Sequence, residues 1–415
     1  MQATHNPVSS PGELLQRFAQ ARAESDRLFG IVRRDALYER PIPDRHRIVF
    51  YLGHLEAFEG NLLRETVGGM PSFHPAFDRL FAFGIDPVGT ALPSDRPEDW
   101  PSVDEIQRYN QRLREQIDAR AVADSQLLNV AIEHRLMHCE TLAYMLHRLP
   151  LDQKLCTEPR PKEAAAAPFR PTMIEIPTGP VTLGLSSSSA DFGWDNEFEA
   201  HIAEVPAFAI DKYKVSNGQY LEFIEAGGYE NRALWTDADW QWKVAQNITH
   251  PAFWRRGEDR WLYRGMFEEV ELPLAGPVYV SHAEASAYAR WAGKELPTEP
   301  QWQRAALETP PQGNADFQYW DPTPVNAFPE SGSAFGAVEM IGNGWEWTSS
   351  VFAPFAGFEP FPFYPGYSAN FFDGQHFVMK GGSPRTAACM LRPSFRNWFQ
   401  PHYPYVYAGF RCVSN

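Results

Sequence analysis

Cysteine is scarce in this chain of 415 residues: Cys139, Cys156, Cys389 and Cys412 are all there is, and no two stand in CxxC spacing. That pattern gives no disulfide framework and no cysteine-rich zinc module, and it suits a reducing compartment, so the expected location is cytoplasmic. Positive charge is also short. Lys and Arg number 37 against 52 Asp and Glu, a formal net charge of -15. Phosphate binding needs a basic face, so no nucleic-acid partner is expected. No apolar run approaches the roughly 20 residues of a membrane helix, so no membrane partner is expected either. The start, Met1-Gln2-Ala3-Thr4-His5-Asn6-Pro7, lacks the basic residues and apolar stretch of a secretion signal.

What the chain does have is 44% apolar and 14% aromatic residues, enough for a packed protein. Its length exceeds one ordinary core and predicts two domains. Residues 1–155 read as a helical domain, 156–171 as a polar Ala- and Pro-rich linker, and 172–415 as a second domain. Ser10-Pro11-Gly12-Glu13 is a helix start, with Ser at the cap, Pro at the first position and Glu at the third. Leu14, Leu15, Phe18 and Ala21 follow at helical spacing. Further helical patterns cover about 44–67, 103–119 and 124–149. Four such helices predict a bundle, an architecture that builds metal sites from facing helices. Beyond the linker Pro, Gly, Trp and Tyr become dense. Short strands are expected at 173–176, 181–183, 207–210 and 278–280, with helices at 281–292 and near 299–308. The fold class is α+β, and a loop-rich domain of this kind carries its function on loops.

The most informative stretch is Glu133-His134-Arg135-Leu136-Met137-His138-Cys139-Glu140. Two histidines four apart on a helix stand one above the other on the same face. His54 lies in the helical pattern of residues 47–55. Two packed helices can therefore bring His54, His134 and His138 to one cation, with iron, copper and zinc all compatible with the donors. Glu140, two residues past His138, is turned away from that face.

The second domain resembles the formylglycine-generating-enzyme (sulfatase-modifying factor) fold, a C-type-lectin-like architecture. The matching phrases are Ile176-Pro177-Thr178-Gly179, Ile210-Asp211-Lys212-Tyr213, Leu296-Pro297-Thr298-Glu299, Gly342-Asn343-Gly344-Trp345-Glu346-Trp347, Lys380-Gly381-Gly382-Ser383 and Ala408-Gly409-Phe410-Arg411. The first domain, with its histidines, resembles the DinB-like four-helix bundle. The pair is similar to the ergothioneine-type sulfoxide synthases, and most like their selenoneine synthase branch. Formylglycine-generating enzymes carry a copper-binding cysteine pair after Gly-Gly-Ser. Here Thr386 and Leu391 hold those places and Cys389 is out of register, so that activity is not expected. Zinc- or nickel-dependent thiol transferases also use DinB bundles, but that reading leaves the second domain without a task. A metal-free binding module is the non-enzymatic alternative.

The resemblance implies a mononuclear non-haem Fe(II) site of His54, His134 and His138, with O2 as co-substrate. It implies a bond between a chalcogen and C2 of the imidazole of hercynine, Nα-trimethylated histidine. Tyr364 matches the family's proton-donating tyrosine, and Tyr367 a substrate-pocket residue three positions on. Arg396-Asn397-Trp398 matches the phrase whose Asn and Trp contact the trimethylated histidine, which here are Asn397 and Trp398. Met137 stands where the family often has Gln. Phe399 and Tyr403 replace the Asp and Arg with which γ-glutamylcysteine-using members hold their donor, and residues 77–87 are mostly apolar. A neutral selenosugar is therefore the expected donor, with Phe83, Phe399, Tyr403 and Tyr405 against the sugar face and Gln400 and His402 on its hydroxyls. Arg79 and Arg396 remain as partners for a donor carboxylate. The alternative is a sulfur enzyme using cysteine or γ-glutamylcysteine. Any of these aromatic residues can instead be packing alone.

Overall fold

The computed structural model describes residues 10–83, 92–120, 124–155 and 168–414. Most of the expected linker (156–167), Cys156 and the side chain of Phe83 lie outside the described residues. The chain divides into two compact units, Met1–Pro159 with Ala190–Phe192, and Arg160–Ser189 with Gly193–Asn415.

The first unit is helical: α1 (Pro11–Gly30), α2 (Ile48–Thr66), α3 (Pro75–Phe83), α4 (Val103–Asp118) and α5 (Ser125–Arg148). Side-chain caps start α1, α4 and α5, whereas α2 begins without one. Ser10 with Glu13 and Ser102 with Glu105 form reciprocal caps, and the Asp124 carboxylate accepts from the amides of Gln126 and Leu127. Leu14, Phe18 and Ala21 are buried as their spacing predicts, whereas Leu15 is 46% exposed. α1 packs on α5, and α2 touches α3, α4 and α5. The nine residues of α3 were not anticipated as a helix; a segment that short gives too few turns for periodicity to register.

Charge is buried in the middle of this unit and paired there. Arg135 of α5 is 1% exposed. It lies 2.6 Å from Glu59 and 3.0 Å from Glu56, both on α2. Arg22 of α1 reaches Glu59 at 3.1 Å, and Arg114 of α4 reaches Glu56 at 2.6 Å. A buried charge without its partner costs several kcal/mol, so this cluster admits one rotation of α5 against α2. His134 is the residue next to Arg135, and its direction is set with it.

The second unit has twelve short strands among the described residues: β1 (Met173–Ile176), β2 (Gly179–Leu183), β3 (His201–Val205), β4 (Phe208–Asp211), β5 (Trp254–Arg256), β6 (Trp261–Arg264), β7 (Glu269–Glu271), β8 (Trp345–Val351), β9 (Phe377–Lys380), β10 (Asn397–Phe399), β11 (Ala408–Gly409) and β12 (Val413–Ser414). They pair as β1-β4-β12, β10-β9-β8-β11, β2-β3 and β5-β6-β7. The helices are α6 (Asn217–Glu225), α7 (Asp237–Ala245), α8 (His282–Trp291) and α9 (Glu299–Ala305). The expected strand at 278–280 is absent. That segment runs alongside two others, Val278 N–H donating to Val215 O and Val280 N–H to Ala408 O, without joining a ladder. The helix expected near 299–308 ends at Ala305.

Ile176, Phe208, Ile210, Trp302, Met340 and Val413 form one core cluster. Beside it the motif residue Glu346, fully buried, accepts from Arg411 at 2.9 Å, Lys214 at 3.0 Å and the indole N–H of Trp302 at 3.0 Å. Gly344 has φ 124°, and a Cβ there would lie 2.7 Å from the Tyr279 ring. The family phrases thus contribute chiefly to the scaffold.

Candidate metal centre and substrate loops

α5 carries His134 and His138 one turn apart, and α2 brings His54 to the same place. One ring nitrogen from each lies within 4.8 Å of the others. His54 Nε2 and His138 Nε2 are 3.2 Å apart. Packing fixes the rings: His134 stacks on Phe58 with centroids 3.4 Å apart, and His54 on Phe50 at 4.7 Å.

The tautomer of His54 is fixed as well. Its Nδ1 lies 2.6 Å from the carbonyl oxygen of Phe81. A carbonyl can only accept, so Nδ1 carries the proton and Nε2 presents its lone pair to the other two rings. Phe81 lies in the last turn of α3, where carbonyls lack helical partners. Gly53 allows the approach: a Cβ at Gly53 would sit 2.4 Å from the Phe81 ring.

Burial pushes the His54 imidazole from 6.5 to about 4, opposed by its bond to Phe81 and assisted by the charges of His46 and Arg135. Burial also holds His134 and His138 well below their ordinary value, and each feels neighbouring histidines. All three are neutral at pH 7, the state in which imidazole binds a metal. His138 Nδ1 is buried with no hydrogen-bond partner among the described residues. A buried ring nitrogen left without a partner beside two other imidazoles is accounted for when a cation takes its lone pair. The group therefore fits a metal ion. The donor type suits iron, copper or zinc. Glu140 is buried but is not part of the group, and Met137 precedes His138 on α5, half-buried.

In the second unit the loop between β8 and β9 carries Tyr364 and Tyr367, with ring centroids 5.6 Å apart. Tyr367 stacks on Trp194 at 4.0 Å and meets the Trp398 ring edge-on at 5.5 Å. Trp398 stacks on Phe352 at 4.2 Å. Asn397 and Trp398 sit in β10, registered opposite Met379 and Val378, and the Asn397 side-chain oxygen accepts from the Trp398 amide. Tyr364, Tyr367, Asn397 and Trp398 are thus gathered in one aromatic patch. Burial and the charge of Asp195 raise the Tyr364 phenol to about 12, so it holds its proton at neutral pH.

Phe399 stacks on Tyr403 at 5.0 Å, and Tyr405 meets Tyr403 edge-on at 5.1 Å. Gln400 is exposed, and its carbonyl accepts from the Tyr403 amide. Two expectations need correction. His402 Nε2 is already bound to Asp239 at 2.8 Å, with the ring stacked on Trp242, so it is not directed to a sugar hydroxyl. Arg396 is 3% exposed and forks onto Glu299 at 2.9 and 3.1 Å, so its charge is spent inside the fold and does not serve a donor carboxylate. Arg79 is exposed on α3. Thr386, in one of the absent cysteine positions, accepts from the Ser383 amide.

The sequence reading missed the run Trp194-Asp195-Asn196-Glu197, which is buried throughout. No periodicity marks it. Its only signal is three polar residues beside a tryptophan in a loop.

Residues 158–415 match the family described as the sulfatase-modifying factor enzyme 1-like domain, and residues 17–135 match the DinB superfamily. A hercynine oxygenase of Mycobacterium tuberculosis is 36% identical over 309 residues, which covers 70% of this chain and 72% of that protein. The chain belongs to the hercynine oxygenase family. A second member, from Mycolicibacterium thermoresistibile, is 36% identical over 70% of this chain and 69% of its own length. Ergothioneine biosynthesis protein 1 of Neurospora crassa is 27% identical over 91% of this chain and 55% of its own. No described helix is long and apolar enough to cross a membrane.

Proposed function

We propose that this protein is an O2-dependent Fe(II) enzyme that joins the selenium of a selenosugar to C2 of the imidazole of hercynine: the C2–H and Se–H hydrogens leave with one oxygen of O2 as water, the other oxygen is carried on selenium, and loss of the sugar with reduction by a thiol leaves selenoneine. The observation that carries the iron assignment is the buried group of neutral imidazoles in the DinB-like unit of a hercynine oxygenase family member. His54, His134 and His138 would hold the iron, which when bound supplies the one-electron chemistry that couples O2 to the substrates.

The chain's own groups divide the remaining work. Tyr367 and Trp398 offer aromatic faces of the kind that hold a trimethylammonium group, and Asn397 offers an amide to the substrate. Tyr364, protonated at neutral pH, is the proton donor that favours bond formation over oxidation of the donor alone. Met137 replaces an amide with a thioether, so it shapes the imidazole pocket without a strong hydrogen bond.

Two features support a neutral donor. The Phe399–Tyr403 stack occupies places where charged residues would grip a dianionic peptide, and aromatic faces suit sugar rings. Arg396, the basic residue beside Asn397, is committed to Glu299. The second reading is the sulfur reaction, with cysteine or γ-glutamylcysteine, and the Neurospora relative's name favours it.

The test is to incubate iron-loaded protein with hercynine, O2 and each donor in turn, and to weigh the products. Selenoneine from the selenosugar alone supports the proposal; a sulfoxide from a thiol donor supports the second reading; no coupled product from any donor overturns both. Tyr364→Phe should shift turnover from coupling toward oxidised donor by about tenfold or more, the range of a lost general acid. An unchanged product ratio removes Tyr364 from that role.

A further inference from the structure

We infer that residues 194–197 are a clamp that sets the loop bearing Tyr364 and Tyr367 against the strand bearing Asn397 and Trp398, with Asp195 and Ser368 as positioning residues for Tyr364. Trp194, Asp195, Asn196 and Glu197 are each at most 1% exposed. Burying three polar side chains in succession is unfavourable unless each finds partners, so where those partners lie tells what the segment is for.

One set lies in the tyrosine loop. The Ser368 hydroxyl, itself fully buried, donates to the Asp195 carboxylate and accepts from the Asn196 side-chain amide at 3.0 Å. Ser368 directly follows Tyr367, whose ring lies flat on Trp194 at 4.0 Å. Trp194 also meets the edge of the Tyr364 ring at 6.4 Å. The other set leads into β10. Glu197 accepts from Arg392 at 2.5 and 2.9 Å and from the Ser394 hydroxyl at 2.6 Å. The Asn196 carbonyl accepts from Arg396, the residue immediately before Asn397.

A four-residue segment therefore grips both substrate elements, from opposite ends of its own length. Asp195 and Asn196 hold the tyrosine side, and Glu197 and the Asn196 backbone hold the Asn-Trp side. The two elements also meet through ring contacts such as Tyr367 with Trp398, which define spacing but tolerate sliding. Directional hydrogen bonds from one rigid segment remove that freedom. The catalytic consequence rests on the proposed function, whereas the clamp itself rests on geometry alone.

Hydrogen exchange on the full chain separates the two. Ser368→Ala should raise exchange about tenfold in residues 361–371 and leave 392–399 as in wild type, the size expected for one buried hydrogen bond. Ser394→Ala should do the reverse. Asp195→Asn keeps an acceptor for Ser368 and should restore wild-type exchange to within about twofold. In turnover with hercynine, Ser368→Ala should lower the ratio of coupled product to oxidised donor about tenfold at unchanged metal content, with Asp195→Asn near wild type. Wild-type exchange in both serine variants, or equal loosening of both segments by either one, overturns the clamp. Absence of coupled product in the wild type overturns the proposed function and leaves the exchange result to decide the clamp. If Ser368→Ala yields little folded protein, the Ser394→Ala arm alone decides: loosening confined to 392–399 supports the clamp, and any other pattern overturns it.

Discussion

In the bundle, His134 and His138 face one point because a helix repeats; in the second unit, Tyr364 and Trp398 lie in one patch because a loop is pinned beside a strand. The histidines need a rotation of α5, which the buried Arg135–Glu56–Glu59 cluster supplies. The aromatic patch needs every segment placed separately, by ring stacking and by hydrogen bonds from residues distant in sequence. A helix-borne site is therefore most sensitive at its ligands. A loop-borne site is sensitive at its supports.

The strongest way to break the comparison is His138→Ala. It removes one of the donors and should reduce iron in the reconstituted protein to background by elemental analysis; full occupancy would disqualify the ligand set. Next comes Arg411→Ala, in the buried scaffold rather than among the substrate residues. Leaving Glu346 buried and short of a partner should cost about 3–5 kcal/mol in denaturant unfolding. A loss under about 1 kcal/mol would show that the motif arginine is not the support its burial implies.

Gly53→Ala is a finer cut. The added methyl displaces the Phe81 ring and with it the carbonyl that holds the His54 tautomer. Metal affinity should fall about 10–100-fold, the usual effect of losing a ligand's outer partner. Gly53→Ala with Phe81→Leu should recover most of it, because the leucine relieves the clash and keeps the carbonyl. The smallest effect is the pH response of the metal-free protein. His54 titrates at about 4 folded against an ordinary 6.5. As pH falls, the unfolded chain takes up that proton first. The contribution is thus complete above about pH 6.5 and is lost down to about pH 4, at roughly 1.4 kcal/mol per pH unit. Urea unfolding at pH 7 and pH 5 should show a shallower pH dependence in His54→Gln than in wild type; parallel dependences would contradict the burial of a neutral imidazole.

The same contrast explains what could be read in advance. The helices α1, α2, α4 and α5, the Ser10 cap of α1 and the His-x3-His pair follow from local spacing, and a local pattern is visible in one sequence. β1 was legible for the same reason, as a short apolar run between turn signals. The segment at 278–280 reads as a strand yet forms none, because pairing is decided by what lies beside it. Arg396 and His402 were available on paper and engaged in the fold, since Glu299 and Asp239 come from elements about a hundred or more residues away. Tyr364, Tyr367, Asn397 and Trp398 were picked out by resemblance alone, and no rule of spacing would have found Trp194 or Ser368 beside them.

The attachment of Glu346 has a consequence for the order of events during synthesis. Its guanidinium partner follows 65 residues later, and the outer strand of the β1-β4-β12 sheet comes after that. Until Arg411 is made, Lys214 is the cation beside this buried carboxylate, and one sheet edge stays open. Native closure waits on residues 411–414, contacts distant in sequence from their partners, which predicts slow folding of this unit.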